Sequence, residues 1–295
     1  LVALEDPVTR ANVCLDCHLG NDNQFATHRI MGAGHPRISF EMDSFTDFQP
    51  AHYVIDDDYR KRKKVIDGVR TWAIGQAMMV ERRMDLILDS KFKTSGVFPE
   101  LAFFDCHACH QPMSSSLPND KGQFPTAWTP RPGTGLGPGV VKFNDSNMLM
   151  LEVALGMAGK DLAAAMRADI RSMHDATRKS RAAMEEVAKK VRSTARSAVQ
   201  AIAGKTLNAG DMRRAMQTLI ERGSKGYFGD YESAEQATMA LGSIIEAMRV
   251  AGFVDNAAYD RLSTKMEPVY GAVANDEQYA PASFVSAVRS LSAAL

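Results

Sequence analysis

Cysteine is scarce in this chain: four residues in 295. Charge of either sign is not in excess, because 35 Lys and Arg are matched by 35 Asp and Glu. A balanced chain lacks the basic footprint of a nucleic-acid binder, so no nucleic acid is expected among its partners. Long apolar runs are missing too. The longest candidate, Met148 to Ala158, is interrupted by Glu152 and falls short of the roughly 18–20 residues that span a bilayer. No transmembrane segment is expected. The sequence also opens without a methionine and without a secretory leader. It reads as a processed protein or the later part of a longer one.

The four cysteines are consumed by two copies of one pattern, Cys14-Leu15-Asp16-Cys17-His18 and Cys106-His107-Ala108-Cys109-His110. In C-x-x-C-H, two thiols add to the vinyl groups of a haem and the next histidine ligates its iron from the proximal side. The spacing suits this chemistry, since a short turn sets both sulfurs against one porphyrin edge and brings the imidazole under the metal. Two covalently bound haem c groups are therefore expected, attached at Cys14, Cys17, Cys106 and Cys109, with His18 and His110 proximal. A four-cysteine zinc site or two structural disulfides are the weaker alternatives. The zinc reading needs two distant pairs to converge and leaves both adjacent histidines unexplained.

Each iron then needs a sixth ligand or keeps an open position. Six of the seven histidines fall within the first 110 residues. His28 and His35 follow the first motif closely, and Gly32 and Gly34 between them let the backbone pass near a porphyrin face. Both are expected as distal ligands, with His52 a further candidate. His107 is a weaker one, for a neighbouring haem. Met31 and Met113 are the thioether alternatives. His174, among Arg171, Asp175 and Arg178, reads as solvated.

The organisation along the chain has three parts: a dihaem domain over 1–111, a Pro- and Gly-rich linker over 112–143, and a helical bundle over 144–295. Residues 112–139 hold half of the twelve prolines, which excludes helix there. Trp128 is expected to pin this stretch to a surface. Before it, regular structure is weakly signalled apart from a helix from about Tyr59 to Leu88. That helix opens on five consecutive cations, Arg60 to Lys64, read as a solvated face. After it, apolar residues such as Met184, Val187, Val191, Ala195, Ala198 and Ile202 recur at helical spacing. Helices are expected near 145–158, 160–203 with a break, 209–222, 231–251, 256–266 and 281–294. Eleven of the seventeen methionines lie in this part and read as adaptable core filler. The fold class is mainly α, with an irregular, haem-packed cytochrome domain followed by an antiparallel bundle.

The set formed by Cys14–His18 with Leu19-Gly20, His28-Arg29-Ile30-Met31-Gly32-Ala33-Gly34-His35-Pro36-Arg37, Phe40-Glu41, Gln49-Pro50-Ala51-His52 and Asp105–His110 resembles the cytochrome c554-like multihaem family. The resemblance covers about residues 5–113. It implies a bacterial, exported protein, periplasmic or extracellular, with close-packed haems that are largely bis-histidine. It places His28 and His35 at distal-ligand positions and strengthens His52. Relatives of this kind often carry a further haem motif upstream, so a histidine here is also able to serve a haem on a partner.

Closed irons would suit electron transfer between redox protein partners, or with further haem subunits of a larger complex. The alternatives are a haem enzyme acting on a small inorganic nitrogen or oxygen species, helped by Tyr53, Arg29 or Arg37, and a haem sensor or scaffold subunit. No catalytic residue is marked, and a carrier is expected rather than an enzyme.

Overall fold

A computed structural model describes residues 2–48, 56–63, 67–89, 91, 99–110 and 141–292. Twelve α-helices and no strand occur among these. Five precede the second motif: α1 Pro7–His18, α2 His28–Gly32, α3 Met42–Phe48, α4 Asp57–Arg62 and α5 Gly68–Leu88. Seven follow: α6 Ser146–Ala158, α7 Lys160–Thr177, α8 Arg181–Gly204, α9 Ala209–Ser224, α10 Tyr231–Val250, α11 Asn256–Ala272 and α12 Pro281–Ser292. His52, Tyr53, Lys64, Met113, Trp128 and nearly all of the linker lie outside the described residues.

Side-chain caps decide where the helices begin. Asp6, Thr27, Asp56, Asp67, Ser180, Asn208, Asp230 and Asp255 each accept a hydrogen bond from an amide in the first turn they precede, which satisfies donors the helix itself cannot. The break expected within 160–203 falls between α7 and α8, with Ser180 starting the new helix. The helix expected from Tyr59 to Leu88 is instead two, α4 and α5, on either side of residues 64–66. The α11 helix runs past its expected end and contains Pro268. Arg60, Lys61 and Arg62 are exposed, and Arg62 pairs with Asp58 one turn away, as a solvated face requires.

One apolar cluster runs from Ala11 to Leu291. Its axis is α5, which packs against α1, α3, α6, α8 and α10. Trp72 and Ala73 of α5 are fully buried, with Leu15 of α1 and Met150 of α6 in the same cluster. Regular structure and side-chain packing thus begin earlier in the chain than the weak signal before Tyr59 suggests. Met148, Met150, Met166, Met173, Met184, Met212, Met216, Met248 and Met266 are all buried, filling core gaps between helices as flexible thioethers do.

A polar knot ties α5, α6 and α10 together inside this core. The Gln76 amide donates to Gln236 Oε1 at 2.8 Å, Asn147 donates to Gln76 Oε1 at 2.8 Å, and Gln236 donates to the Phe40 carbonyl at 3.0 Å. Directly after Phe40, the fully buried Glu41 carboxylate accepts the amides of Asp43 at 2.8 Å and Ser44 at 2.7 Å and so starts α3. Burial holds the Glu41 carboxyl above its usual range, against those two bonds. A folded-state value above the unfolded one gives stability that is complete below about pH 4.3. That contribution is lost as pH rises through the folded value, by up to about 1.4 kcal/mol per pH unit. Denaturation midpoints between pH 4 and 7 are therefore expected to fall more steeply in the wild type than in Glu41→Gln. Parallel pH profiles would remove Glu41 as the source.

Candidate functional site

The first motif closes α1. Cys14, Cys17 and His18 stand three and four residues apart, so they share one helical face. Leu15 and Leu19 point the other way and are buried. Gly20, at φ +105°, turns the chain out of the helix, and a Cβ there would sit 2.4 Å from the Gln24 carbonyl oxygen. The motif is anchored from two sides: Arg82 of α5 pairs with Asp16 at 2.7 Å, and the Gln24 amide donates to the Asp16 carbonyl at 2.7 Å. Cys14 is half-buried, and burial raises its thiol above the ordinary range, while Cys17 is exposed. The His18 ring stacks on Phe40 with centroids 4.5 Å apart and planes at 14°, and Phe45 meets it edge-on at 6.0 Å.

His35 faces the same region. An open cavity of about 670 Å³ is lined by Cys17, Gly20, Phe25, Ile30, His35 and Ile38, among others. His35 Nδ1 donates to the Pro36 carbonyl at 2.6 Å. Such a bond fixes the tautomer and leaves Nε2 as the free ligating atom. The segment beyond is bolted to α10. The Arg37 guanidinium takes Glu235 through two nitrogens, at 2.6 and 3.0 Å, and Ser39 donates to Glu235 at 2.8 Å. Arg37 also lies 4.6 Å over the Tyr231 ring. Those contacts take Arg37 away from the distal acid–base role weighed for it. They also give the helical part a local task, holding the stretch between His35 and Phe40.

The second motif forms a short 3-10 turn, Cys106–Ala108, capped by Asp105. Its position is set by pairing of the flanking chain: Asp105 N donates to the Lys142 carbonyl at 2.8 Å and Asn144 N to the Phe103 carbonyl at 3.0 Å. Cys106 is half-buried, and burial, with Glu232 adding, pushes its thiol up to about 12. Cys109 and His110 are exposed.

Across from His110 stands His28. Their ring centroids are 5.9 Å apart, with planes inclined at 32°. Residues 82 positions apart in sequence are brought together by Glu100, whose carboxylate accepts the His28 amide at 2.8 Å, and by Phe25 stacked on Phe103 at 5.4 Å. Two imidazoles bonded at about 2 Å to opposite sides of one metal ion hold their centroids about 6 Å apart. The pair therefore fits the ligand set of a haem carried by Cys106 and Cys109.

The alternatives for the cysteines find no support in this geometry. All four are free thiols, and among the described residues no group of cysteines converges as metal ligands. His107, the weaker ligand candidate, has its surroundings defined. It lies against Tyr231, with centroids 5.3 Å apart, and beside Asp105 and Glu232. His174, read as solvated, is instead 2% exposed and bonded to Asp145 at 2.9 Å. Its charged neighbours in sequence point outward while the imidazole faces α6.

Residues that sequence reasoning missed include Glu100, Lys142, Asp145, Glu232 and Glu235. Each acts on a partner far along the chain, so no local spacing announces it. No family model matches the chain, and no curated protein or solved structure matches it. Among the described residues, no helix is long and apolar enough to cross a membrane.

Proposed function

We propose that this chain is a dihaem c-type cytochrome that passes electrons between protein partners in the periplasm or outside the cell. The observation that carries this reading is the placement of His28 and His110, with ring centroids 5.9 Å apart and planes inclined at 32°, beside Cys106 and Cys109. Cys14, Cys17, Cys106 and Cys109 would hold the two groups, with His18 and His110 on the proximal side. His28 serves the second motif. His35, with Nε2 free on the wall of the cavity that Cys17 also lines, serves the first. A bound haem would supply one-electron exchange, with little reorganisation if these histidines hold it.

The protein's part is to fix these ligands and to leave an edge accessible. Phe40 holds the His18 ring flat, Pro36 holds the His35 tautomer, and Glu100 holds the His28 backbone. Cys109, His110 and His28 are exposed, so the second centre has a surface edge where a redox partner docks. The likeness of residues 5–113 to the cytochrome c554-like family points the same way, including export and possession of haem-bearing partners. The test is the low-temperature magnetic resonance spectrum of the oxidised protein. Low-spin ferric signals alone are expected, and a high-spin signal from either iron would overturn the closed coordination.

A further inference from the structure

A second polar site lies on the side of the Cys106–Ala108 turn away from His110. Asp105 caps this turn by accepting the His107 amide at 3.0 Å, which folds the His107 ring back over its own cap. Glu232, in the first turn of α10, packs against the same turn and accepts the Cys106 amide at 3.4 Å. One carboxylate oxygen from each acid and one ring nitrogen of His107 all lie within 4.8 Å of one another. Asp105 and Glu232 are each 4% exposed or less, and His107 is half-buried.

Charged side chains crowd around this turn. Lys142 reaches Asp230 at 2.8 Å, Asp105 at 3.3 Å and Asp145 at 3.7 Å. Arg83 is buried and spends a donor on the Asn144 carbonyl at 2.8 Å. Two buried atoms of this group have no hydrogen-bond partner among the described residues: Glu232 Oε2 and His107 Nδ1. Leaving such groups unsatisfied is costly, the charged one most of all. A proton shared between Asp105 and Glu232 would relieve the acids but leave the imidazole nitrogen orphaned. A divalent cation satisfies all three.

We propose that Asp105, His107 and Glu232 form a binding site for a divalent first-row transition ion, distinct from the two haem irons. One imidazole with two carboxylates suits Zn²⁺ or Mn²⁺ better than the all-oxygen shells of Ca²⁺ and Mg²⁺. The site would staple the second motif to the start of α10. It joins residues more than a hundred positions apart through one ion.

The test uses full-length protein, stripped with a chelator and titrated with Zn²⁺, with bound zinc counted per chain. One equivalent is expected, with affinity at least about 10-fold lower in Glu232→Gln and in His107→Asn. The X-ray absorption edge of the zinc-loaded wild type should show nitrogen and oxygen neighbours at about 2.0–2.2 Å, with no sulfur shell at about 2.3 Å. This second reading does not depend on either variant folding. Absence of stoichiometric zinc, equal affinity in well-folded variants, or a sulfur shell would each overturn the site. Zinc is counted apart from iron, so the result is independent of the haem reading.

Discussion

Ferrous protein carrying His28→Ala is expected to bind one equivalent of carbon monoxide per chain, where the wild type binds none. His28 contributes no buried packing. Its ring is exposed and its backbone anchor to Glu100 uses the amide, which alanine retains. The substitution should therefore leave the fold intact and remove only the imidazole facing His110. Without that imidazole, a haem iron held at the second motif would present an open position to an exogenous ligand, and its oxidised form would become high-spin. Added imidazole should close the position again. A His28→Ala protein that still excludes carbon monoxide at both irons would remove His28 from the ligand set.

Phe40→Ala should cost about 3–5 kcal/mol of stability, the range for emptying a buried aromatic site. Phe40 is 3% exposed and lies under the His18 ring, while its carbonyl accepts from Gln236 of α10. Its loss therefore acts on the first motif as well as on the core. The control is Phe284→Ala in α12, also fully buried, whose ring stacks on no motif histidine. Chemical denaturation should find comparable losses in both variants. Only Phe40→Ala should change the reduction potential of one haem, through the freedom it gives His18. Equal potentials in the two variants would show that Phe40 serves packing alone.

Local chemistry made part of this legible. The paired C-x-x-C-H spacing and the helical periodicity after residue 145 are short-range signals. The helix starts after Ser180, Asn208 and Asp255 rest on capping side chains that reach an amide three residues on. The segment from His28 to His35 stood out because two glycines lie between its two histidines, but its pairing with the second motif did not. That pairing depends on Glu100 and on Phe25 against Phe103, contacts with no periodic trace. The same holds for Arg37 with Glu235 and for His174 with Asp145. In each, a charged or titratable residue is drawn inward by a partner 29 or more positions away, and for His174 this overturns a solvated reading. The α1 helix was not expected because the cysteine–histidine motif dominates its sequence, although Asp6 and Pro7 form an ordinary helix start.

The central claim is that this chain holds two haems with both irons closed by histidine pairs. The measurement that tests it most directly is the absorption spectrum of the reduced full-length protein before and after carbon monoxide, referred to haem per chain. Two haems per chain and an unchanged spectrum are predicted. Fewer than two covalently bound haems, or a stoichiometric carbon monoxide shift in the wild type, would contradict it.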